Sequence, residues 1–489
     1  MRYLSTRGGK PASAAEAIVR GISPSGGLYV PESYPTIEWN NEVRGGYLAT
    51  AHRVMQAYLP ETDSAELERM ITAAYKSFDH ADVTPVVKLS EREHVLELWH
   101  GPTMAFKDVA LQMLPHLMRS SLKQTGETRQ VYILVATSGD TGKAALEGFR
   151  DVEGTRVLVF YPFGGVSEAQ RLQMVTQEGK NVDVCAVHGN FDDAQTGVKQ
   201  IFADREIAQQ LEEKGWRLSS ANSINFGRLL PQIVYYFTSY QQLVSSGEIQ
   251  LGEQINFCVP TGNFGDILAG EYARRMGLPI HRLICASNRN NVLTDFFDSG
   301  VYDDNRPFYQ SMSCSIDILI SSNLERLLFE LAGRDDALVR DWMQGLKEKG
   351  MYALPQHALD ELKQTFSAGW CTEEDTLETI KRIFDSTGYL MDPHTAVAQC
   401  VYERYAEKTG DTTKTVLLST ANPYKFASDV LGAFELAGED DFVNAYRLKE
   451  LTGAPIPKGM SELLGKPERH HDVCALSDMP KRALAPILK

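Results

Sequence analysis

The feature that most constrains the fold of this chain is a repeated alternation of short apolar runs with helical stretches. The runs are rich in β-branched and aromatic residues and lie at residues 131–136, 156–161, 182–187, 255–259, 280–286 and 415–418. Buried strands that alternate with helices predict a parallel sheet with helices packed on its faces. We therefore expect an α/β protein.

The chain outside these runs divides into regions of different character. Ser13 and Asp63 are each followed three residues later by Glu, a pattern that opens a helix. We expect three regions: a small helical N-terminal module (1–85), an α/β region (86–450) that holds a smaller lobe (about 130–220) and a helical insertion (about 322–408), and a C-terminal tail over the surface (451–489).

Composition and charge argue against several classes of function. The 489 residues include 49 Lys and Arg against 64 Asp and Glu, a net charge of −15, which disfavours a nucleic acid or an anionic membrane as a partner. The seven cysteines form no C-x-x-C pair and indicate a reducing compartment rather than a disulfide framework or a zinc site. No secretory signal and no apolar run of about 20 residues is evident, so we expect a cytoplasmic protein.

One lysine is a candidate for covalent chemistry. Lys107 follows a Gly-Pro turn and is flanked by Phe106 and by the apolar residues 109–111. Partial desolvation lowers the pKa of an amine and suits it to Schiff-base formation. Lysines beside apolar residues more often lay their stems over the surface, so this segment alone leaves both interpretations open.

Two glycine-containing loops lie between a predicted strand and a predicted helix, where backbone N–H groups can bind an anion. They are Thr137-Ser-Gly-Asp-Thr-Gly-Lys-Ala144 and Pro260-Thr-Gly-Asn-Phe-Gly-Asp266. The first lacks the initial glycine and the final hydroxyl of a nucleotide P-loop. The second lacks the G-x-G-x-x-G of a dinucleotide site. Both loops therefore predict a site for a small anion, with an ordinary turn and helix cap as the alternative.

Two further pairs of residues could contact a ligand. Ser419 and Thr420 end the last predicted strand, at the edge where α/β proteins bind ligands. Asn225 and Arg228 lie at a predicted helix start and could clamp a carboxylate or a phosphate. Each pair alone is more often a helix cap or a solvated helix end. The histidines lack metal-ligand spacing, so we expect no metal site.

Taken in order along the chain, these segments and their neighbours resemble the threonine synthase family, pyridoxal-phosphate enzymes of the tryptophan-synthase-β-like group. The resemblance spans nearly the whole chain and is strongest to the longer microbial and fungal branch. Asn422-Pro-Tyr stands where many relatives have His-Pro-Ala, and Phe226 stands where a Trp is expected. The segments that carry the resemblance are residues 24–31, 100–103, 106–108, 137–142, 223–228, 262–265, 321–328, 392–397 and 419–420.

The resemblance implies two interleaved parallel-sheet lobes of the tryptophan-synthase-β-like type, with pyridoxal 5'-phosphate bound in region 86–450. It implies that Lys107 forms a Schiff base with the cofactor, that the Gly262 to Gly265 loop holds its phosphate and that Thr420 hydrogen-bonds its pyridine nitrogen. The cofactor-binding residues are then Lys107, Gly262, Asn263, Phe264, Gly265, Asp266 and Thr420. By resemblance, the expected substrate-binding residues are Ser138, Gly139, Asp140, Thr141, Lys143, Asn225 and Arg228. Charge and donor geometry also favour Lys143, Asn225 and Arg228 as ligands of the substrate phosphate.

The reaction that the resemblance implies converts O-phospho-L-homoserine and water to L-threonine and phosphate, which makes the chain a pyridoxal-phosphate-dependent lyase with Lys107 as its catalytic base. The sequence offers no second obvious base near Lys107, and the departing phosphate could act as one. A related lyase that releases a 2-oxo acid, and a catalytically silent homologue, are the alternatives. We expect a monomer or a homodimer.

Overall fold

The computed structural model describes residues 1–37, 45–137, 139–438 and 440–488. Its strands are β1 (Arg2–Ser5), β2 (Ala12–Ser13), β3 (Tyr29–Pro31), β4 (Val86–Lys88), β5 (Glu93–Glu97), β6 (Gln130–Ala136), β7 (Thr155–Pro162), β8 (Val182–His188), β9 (Trp216–Ser219), β10 (Ile255–Pro260), β11 (Ile280–Ser287), β12 (Val301–Asp303), β13 (Met351–Ala353), β14 (Phe366–Trp370), β15 (Thr415–Ser419) and β16 (Asp472–Ala475).

The helices are α1 (Ala14–Arg20), α2 (Gly46–Tyr58), α3 (Ser64–Tyr75), α4 (Lys107–Leu111), α5 (Leu114–Thr125), α6 (Asp140–Phe149), α7 (Glu168–Val175), α8 (Phe191–Ala203), α9 (Arg205–Glu213), α10 (Phe226–Ser245), α11 (Gly265–Arg275), α12 (Val292–Ser299), α13 (Leu324–Leu331), α14 (Asp336–Lys349), α15 (Gln356–Thr365), α16 (Glu373–Thr387), α17 (Pro393–Thr409), α18 (Ala427–Gly432), α19 (Asp441–Thr452), α20 (Lys458–Ser461) and α21 (Met479–Leu488). Short 3₁₀ turns lie at Cys314–Ile316, Pro423–Phe426 and Leu476–Asp478.

The larger sheet has six strands in the order β14-β11-β10-β15-β5-β4. Its neighbouring strands are parallel except β4 and β5, which are antiparallel. Every residue of β10 and β15 is buried, as expected for the centre of a parallel sheet with helices on both faces. Helix α10 is buried around most of its circumference, in agreement with its apolar sequence, and packs against α2, α4 and α11.

The smaller sheet has five parallel strands in the order β16-β8-β7-β6-β9. Strands β6 to β9 come from residues 130–219. Strand β16 and helix α21 come from the tail, and Met479 and Ala483 of α21 pack into the apolar core on this sheet. The tail that the sequence placed over the surface therefore completes the smaller lobe.

The two lobes are interleaved, as the family resemblance implied. The chain leaves the larger sheet after β5 and builds β6 to β9, and α10 then precedes β10 of the larger sheet. After β15 the chain goes back to the smaller sheet and adds β16. This path brings the start of α6, from the smaller lobe, against the turn that follows β15, from the larger lobe.

Several strands lie outside the apolar runs that predicted the sheets, among them β4, β5, β9 and those of the two regions that follow. The N-terminal module holds an antiparallel sheet in the order β2-β1-β3 beside its helices. The segment expected to be a helical insertion contributes β14, an edge strand of the larger sheet. The β14 sequence, Phe-Ser-Ala-Gly-Trp, has too few apolar residues to stand out as a buried strand. Because β14 lies at the edge of the sheet, it pairs with one strand only and can stay partly exposed.

Candidate active site

Lys107 is the first residue of α4, at the end of a loop that is fastened to the turn after β15. Phe106 N donates to Thr420 O (2.8 Å), and Asn422 N donates to Met104 O (3.1 Å). Met104 has a φ of 62°, a left-handed conformation that is uncommon for a residue other than glycine and often marks a functional loop. The fold therefore holds Lys107 at the carboxyl edge of the larger sheet.

The Lys107 amine faces two oxygen atoms and is largely buried. Its Nζ donates to Ser315 Oγ (3.1 Å) and lies 3.5 Å from Asp140 Oδ2, with the Lys107 side chain 12% exposed. Burial lowers the pKa of Lys107, although the nearby Asp140 carboxylate opposes this shift. A desolvated amine of this kind is more readily deprotonated than a surface lysine, which is what Schiff-base chemistry needs.

Asp140 connects Lys107 to a second buried lysine. Lys425 Nζ lies 2.7 Å from Asp140 Oδ1 and donates to Thr103 O (2.9 Å), and the Lys425 side chain is 1% exposed. Burial would raise the pKa of Asp140, but Lys425 and Lys107 outweigh it and hold that pKa below its ordinary value. Asp140 is therefore a carboxylate shared by two cations, which suits it to position them rather than to bind an anionic substrate.

The loop between β10 and α11 forms an anion nest next to this cluster. Phe264 has a φ of 63°, and the loop carbonyls are occupied, because Ser321 Oγ donates to Gly262 O (2.6 Å) and Asn323 Nδ2 donates to Asn263 O (2.9 Å). Within the described chain, the N–H groups of Gly262, Asn263 and Phe264 donate to no protein acceptor. Consecutive free N–H groups at a helix start are a binding site for phosphate.

Ser315 lies between the anion nest and Lys107. A Cβ atom on Gly262 would lie 2.6 Å from Ser315 O, so only glycine allows the loop to approach this closely. Because Ser315 Oγ also accepts from Lys107 Nζ, the nest and the amine are held on two sides of one residue. The structure thus brings together the lysine and the phosphate loop that the sequence analysis treated as separate candidates.

Of the two hydroxyls that end β15, the structure leaves Thr420 available. Ser419 Oγ accepts from Trp99 Nε1 (3.0 Å) and from Thr395 Oγ1 (3.0 Å). Thr420 is buried, and its Oγ1 has no hydrogen-bond partner within the described residues. Its carbonyl holds Phe106 N, one residue from Lys107. A buried hydroxyl beside the lysine is a suitable partner for a ring nitrogen.

Arg228 is a buried cation without a carboxylate partner in the described part of the chain. Its Nη1 donates to Ala221 O (3.0 Å), while its Nε is buried and has no partner. Burial lowers the pKa of Arg228 to about 10, and its charge in turn helps to lower the pKa of Lys107. A buried guanidinium with an unused donor is costly unless an anion binds to it, which makes Arg228 a candidate phosphate ligand.

The helix start after β6 is partly occupied by its own side chains. Thr137 Oγ1 accepts from Gly139 N (2.9 Å) and from Gly142 N (3.0 Å). Ser138 lies outside the described residues. Asp140 and Thr141 form the first turn of α6, where N–H groups have no partner within the helix. Among the described residues of this loop, these two backbone N–H groups can donate to a carboxylate.

Two predicted substrate contacts have their polar groups engaged within the protein. Lys143 Nζ pairs with Glu147 Oε2 (3.3 Å), one helical turn away. Asn225 Nδ2 donates to Ile18 O (2.9 Å), and its Oδ1 caps α10 by accepting from Gly227 N (2.8 Å). By contrast, the buried Nε of Arg228 has no hydrogen-bond partner in the described part of the chain.

The side chain of Asp266, another predicted cofactor contact, is directed into the core. Its Oδ1 accepts from the hydroxyls of Tyr235 and Tyr236. Burial raises the pKa of Asp266 to about 7, so its negative charge is weakened. A carboxylate on the nest side would repel a phosphate, and this arrangement avoids that conflict.

Sequence reasoning assigned no role to four residues that contact the site. Ser315 contacts Lys107, and Lys425 contacts Asp140. His394 Nδ1 lies 2.7 Å from Asp392 Oδ2, and His394 Nε2 accepts from Ser315 N (3.0 Å). The signals for three of them were available, because Lys425 follows Thr420 closely and Asp392 and His394 lie in a segment that carries the resemblance. Ser315 lies in no segment that suggested chemistry.

Neither a metal centre nor a membrane span is found in the described residues. No group of three or more His, Cys, Asp or Glu side chains within these ranges could hold a metal ion. None of the helices described has the length and apolar character to cross a membrane.

A buried lysine beside a glycine-containing anion nest, on a parallel-sheet fold, provides what an enzyme of the pyridoxal-phosphate-dependent class needs to hold its cofactor. The family model described as "Pyridoxal-phosphate dependent enzyme" matches residues 78–421. Two models specific to one group within that class match the ends of the chain: "Threonine synthase N terminus" at residues 2–75 and "Threonine synthase, C-terminal" at residues 395–481. The chain belongs to the threonine synthase family.

Individual relatives agree with this assignment. Threonine synthase of Pseudomonas aeruginosa is 41% identical over 435 residues, which cover 88% of this chain and 90% of that protein. Threonine synthase-like 1 of Homo sapiens is 41% identical over 436 residues, which cover 86% of this chain but only 58% of that longer protein. The crystal structure of PLP-bound threonine synthase from Brucella melitensis has a TM-score of 0.88 at 40% identity and covers 99% of this chain and 98% of that one.

Proposed function

We propose that this protein is a pyridoxal-phosphate-dependent lyase that converts O-phospho-L-homoserine and water to L-threonine and phosphate. The observation that carries the proposal is the buried Lys107 amine, which lies between Asp140 and Ser315 and next to a nest of free N–H groups. The relatives in the threonine synthase family support the choice of substrate. We further propose a cytoplasmic monomer or homodimer.

The residues fit pyridoxal 5'-phosphate in three respects. The free N–H groups at Gly262, Asn263 and Phe264 suit its phosphate, the desolvated Lys107 amine suits its aldehyde, and the free Thr420 hydroxyl suits its ring nitrogen. When bound, pyridoxal phosphate supplies an electron sink for carbanions on the substrate. A neutral hydroxyl at the ring nitrogen, unlike an aspartate, does not enforce ring protonation, which moderates that sink and limits side reactions.

The chain's own residues then have separate tasks. Lys107 would hold the cofactor and, as a free amine, would move protons at the α- and β-carbons of the substrate. The N–H groups of Asp140 and Thr141 orient the substrate carboxylate. Arg228 binds the substrate phosphate and, as a cation, favours its departure from the γ-carbon. Water adds at the β-carbon, where phosphate released within the site can serve as the base.

The amine and the cofactor can be tested together. Purified protein with pyridoxal phosphate should show a visible absorbance band that is lost on borohydride reduction, and the reduced label should lie on Lys107. Lys107→Ala should lose the band, the label and turnover. Lys408→Ala, which removes an exposed lysine near the end of α17, is the matched control and should behave as the unaltered protein. Full turnover by Lys107→Ala would refute the proposal.

The alternative is a related lyase that eliminates phosphate and releases a 2-oxo acid and ammonia. Its contacts with the cofactor would be the same, so the products must decide between the two. Threonine and 2-oxobutyrate are therefore both quantified from O-phospho-L-homoserine, and we expect threonine as the main product. Predominant 2-oxobutyrate would establish the alternative, and the absence of either product with an intact visible band would indicate a silent homologue.

A further inference from the structure

Ser315 has the contacts of a residue that works with Lys107 rather than those of an ordinary loop serine. Its Oγ accepts from Lys107 Nζ at 3.1 Å, and its carbonyl lies against Gly262 of the anion nest. The serine belongs to a 3₁₀ turn of three residues, too short to fix its own position. Something outside the turn must therefore hold it.

The external support is a buried pair of side chains from the start of α17. Asp392 and His394 are both almost completely buried, and Asp392 Oδ2 lies 2.7 Å from His394 Nδ1. His394 Nε2 accepts from Ser315 N at 3.0 Å. Asp392 is held in turn by Thr395, whose N donates to Asp392 Oδ1 (3.2 Å). The links form a continuous path from Asp392 through His394 and Ser315 to the Lys107 amine.

The direction of these hydrogen bonds fixes the protonation of His394. Burial is the largest single effect and lowers the pKa of His394, but the hydrogen bonds and charges of Asp392 and Cys314 together outweigh it and raise that pKa to about 10. The Ser315 N–H nevertheless points at Nε2 and needs its lone pair, so this arrangement holds a neutral ring with its proton on Nδ1. A carboxylate that accepts from Nδ1 selects the same tautomer.

We propose that Ser315 is a further catalytic residue, whose hydroxyl accepts an N–H of Lys107 and sets the direction of the amine, and that Asp392 and His394 are its positioning residues. This inference rests on the proposed function, because it assigns Lys107 as the reacting amine. The hydroxyl keeps the amine aimed beside the anion nest while Lys107 passes protons between substrate carbons. Ser315 thus works beside Lys107, although the sequence around Lys107 gave no indication of such a residue.

The first test measures the Lys107 amine in the full-length protein without cofactor. The rate at which acetic anhydride labels Lys107 is followed against pH by mass spectrometry of its peptide. The groups that face Lys107 from the surrounding elements are Asp140 on α6, Cys314 beside Ser315, Lys425 after β15 and Arg228 on α10. They are present in every variant compared, so a change between variants reports on Ser315.

Ser315→Ala should move the labelling midpoint to lower pH by about one unit, because the ammonium loses an acceptor. In the holoenzyme it should lower kcat at least tenfold, and Ser315→Thr, which keeps the hydroxyl, should recover both values. Ser287→Ala, a buried serine on β11, is the matched control and should change neither. A Ser315→Ala protein whose midpoint and kcat equal those of Ser287→Ala would overturn the catalytic role.

The second test separates the positioning pair from a general structural role. His394→Gln can place an acceptor near the Nε2 position, whereas His394→Asn cannot reach it. His394→Asn should reproduce the Ser315→Ala midpoint, and His394→Gln should stay near the unaltered value. Equal midpoints in the two variants would overturn the positioning role. If Ser315 shifts the Lys107 midpoint as expected but no threonine forms, the proposed function fails while the Ser315 to Lys107 link stands.

Discussion

Replacing Lys425 by Met should destabilise the protein, because it leaves Asp140 buried with only one cation beside it. The replaced ammonium lies 2.7 Å from Asp140 Oδ1, and the two side chains are 1% and 4% exposed. Removing one partner of a buried ion pair costs about 3–5 kcal/mol. Lys107 remains 3.5 Å from the other oxygen and compensates part of the loss, so we expect the lower end, about 3 kcal/mol.

The assay is urea unfolding at pH 7 of the protein without cofactor, so that cofactor affinity does not enter the measured stability. Asp140→Asn and the double variant Lys425→Met/Asp140→Asn complete a double-mutant cycle. The double variant should recover most of the loss, because it removes the unpaired charge together with its partner. A loss below about 1 kcal/mol in Lys425→Met, or strictly additive effects in the cycle, would refute the reasoning.

The same pair gives a pH signature with a defined sign. The folded-state pKa of Asp140 lies below its ordinary value of 3.8, so ionised Asp140 contributes stability above about pH 4. That contribution is lost as the pH falls towards the folded-state pKa. The stability difference between the unaltered protein and Lys425→Met should therefore be full at pH 7 and shrink below pH 4. A difference that is constant with pH would assign the effect to packing instead.

Three further predictions concern single residues of the site. Arg228→Lys should raise KM for O-phospho-L-homoserine about tenfold with a smaller change in kcat, because the planar fork is lost, and an unchanged KM in steady-state kinetics would remove Arg228 from the phosphate site. Thr420→Asp should raise the fraction of 2-oxobutyrate among the products, since a carboxylate favours ring protonation, whereas an unaltered product ratio would contradict this role. The pKa of Asp266 is raised from 3.8 to about 7 in the folded protein, so the free energy of unfolding should fall as the pH rises from about 4 to 7. Asp266→Asn should flatten this pH dependence in urea titrations. Parallel pH curves for the variant and the unaltered protein would contradict the raised pKa.

Local sequence determines the parts of the site that are built from consecutive backbone. The nest at Gly262 to Gly265 follows directly from glycines placed between a buried strand and a helix. Lys107 could be singled out because it follows a Gly-Pro turn within an apolar segment. The β14 strand was missed because an edge strand can be short and only partly apolar, and its identity depends on pairing with β11.

The sequence by itself determined the parallel-sheet class, because strands buried on both faces must be apolar along their whole length. The interleaving of the two lobes followed from the family resemblance of the sequence and not from this pattern. The sequence could not determine which polar groups remain free to bind a ligand. Asn225 is engaged by Ile18, 207 residues away in sequence, and Asp140 is shared with Lys425 across the two lobes, while Arg228 keeps an unused donor. A hydrogen bond or an ion pair depends on separations of a few ångströms between distant parts of the chain, and the tertiary structure alone sets those separations.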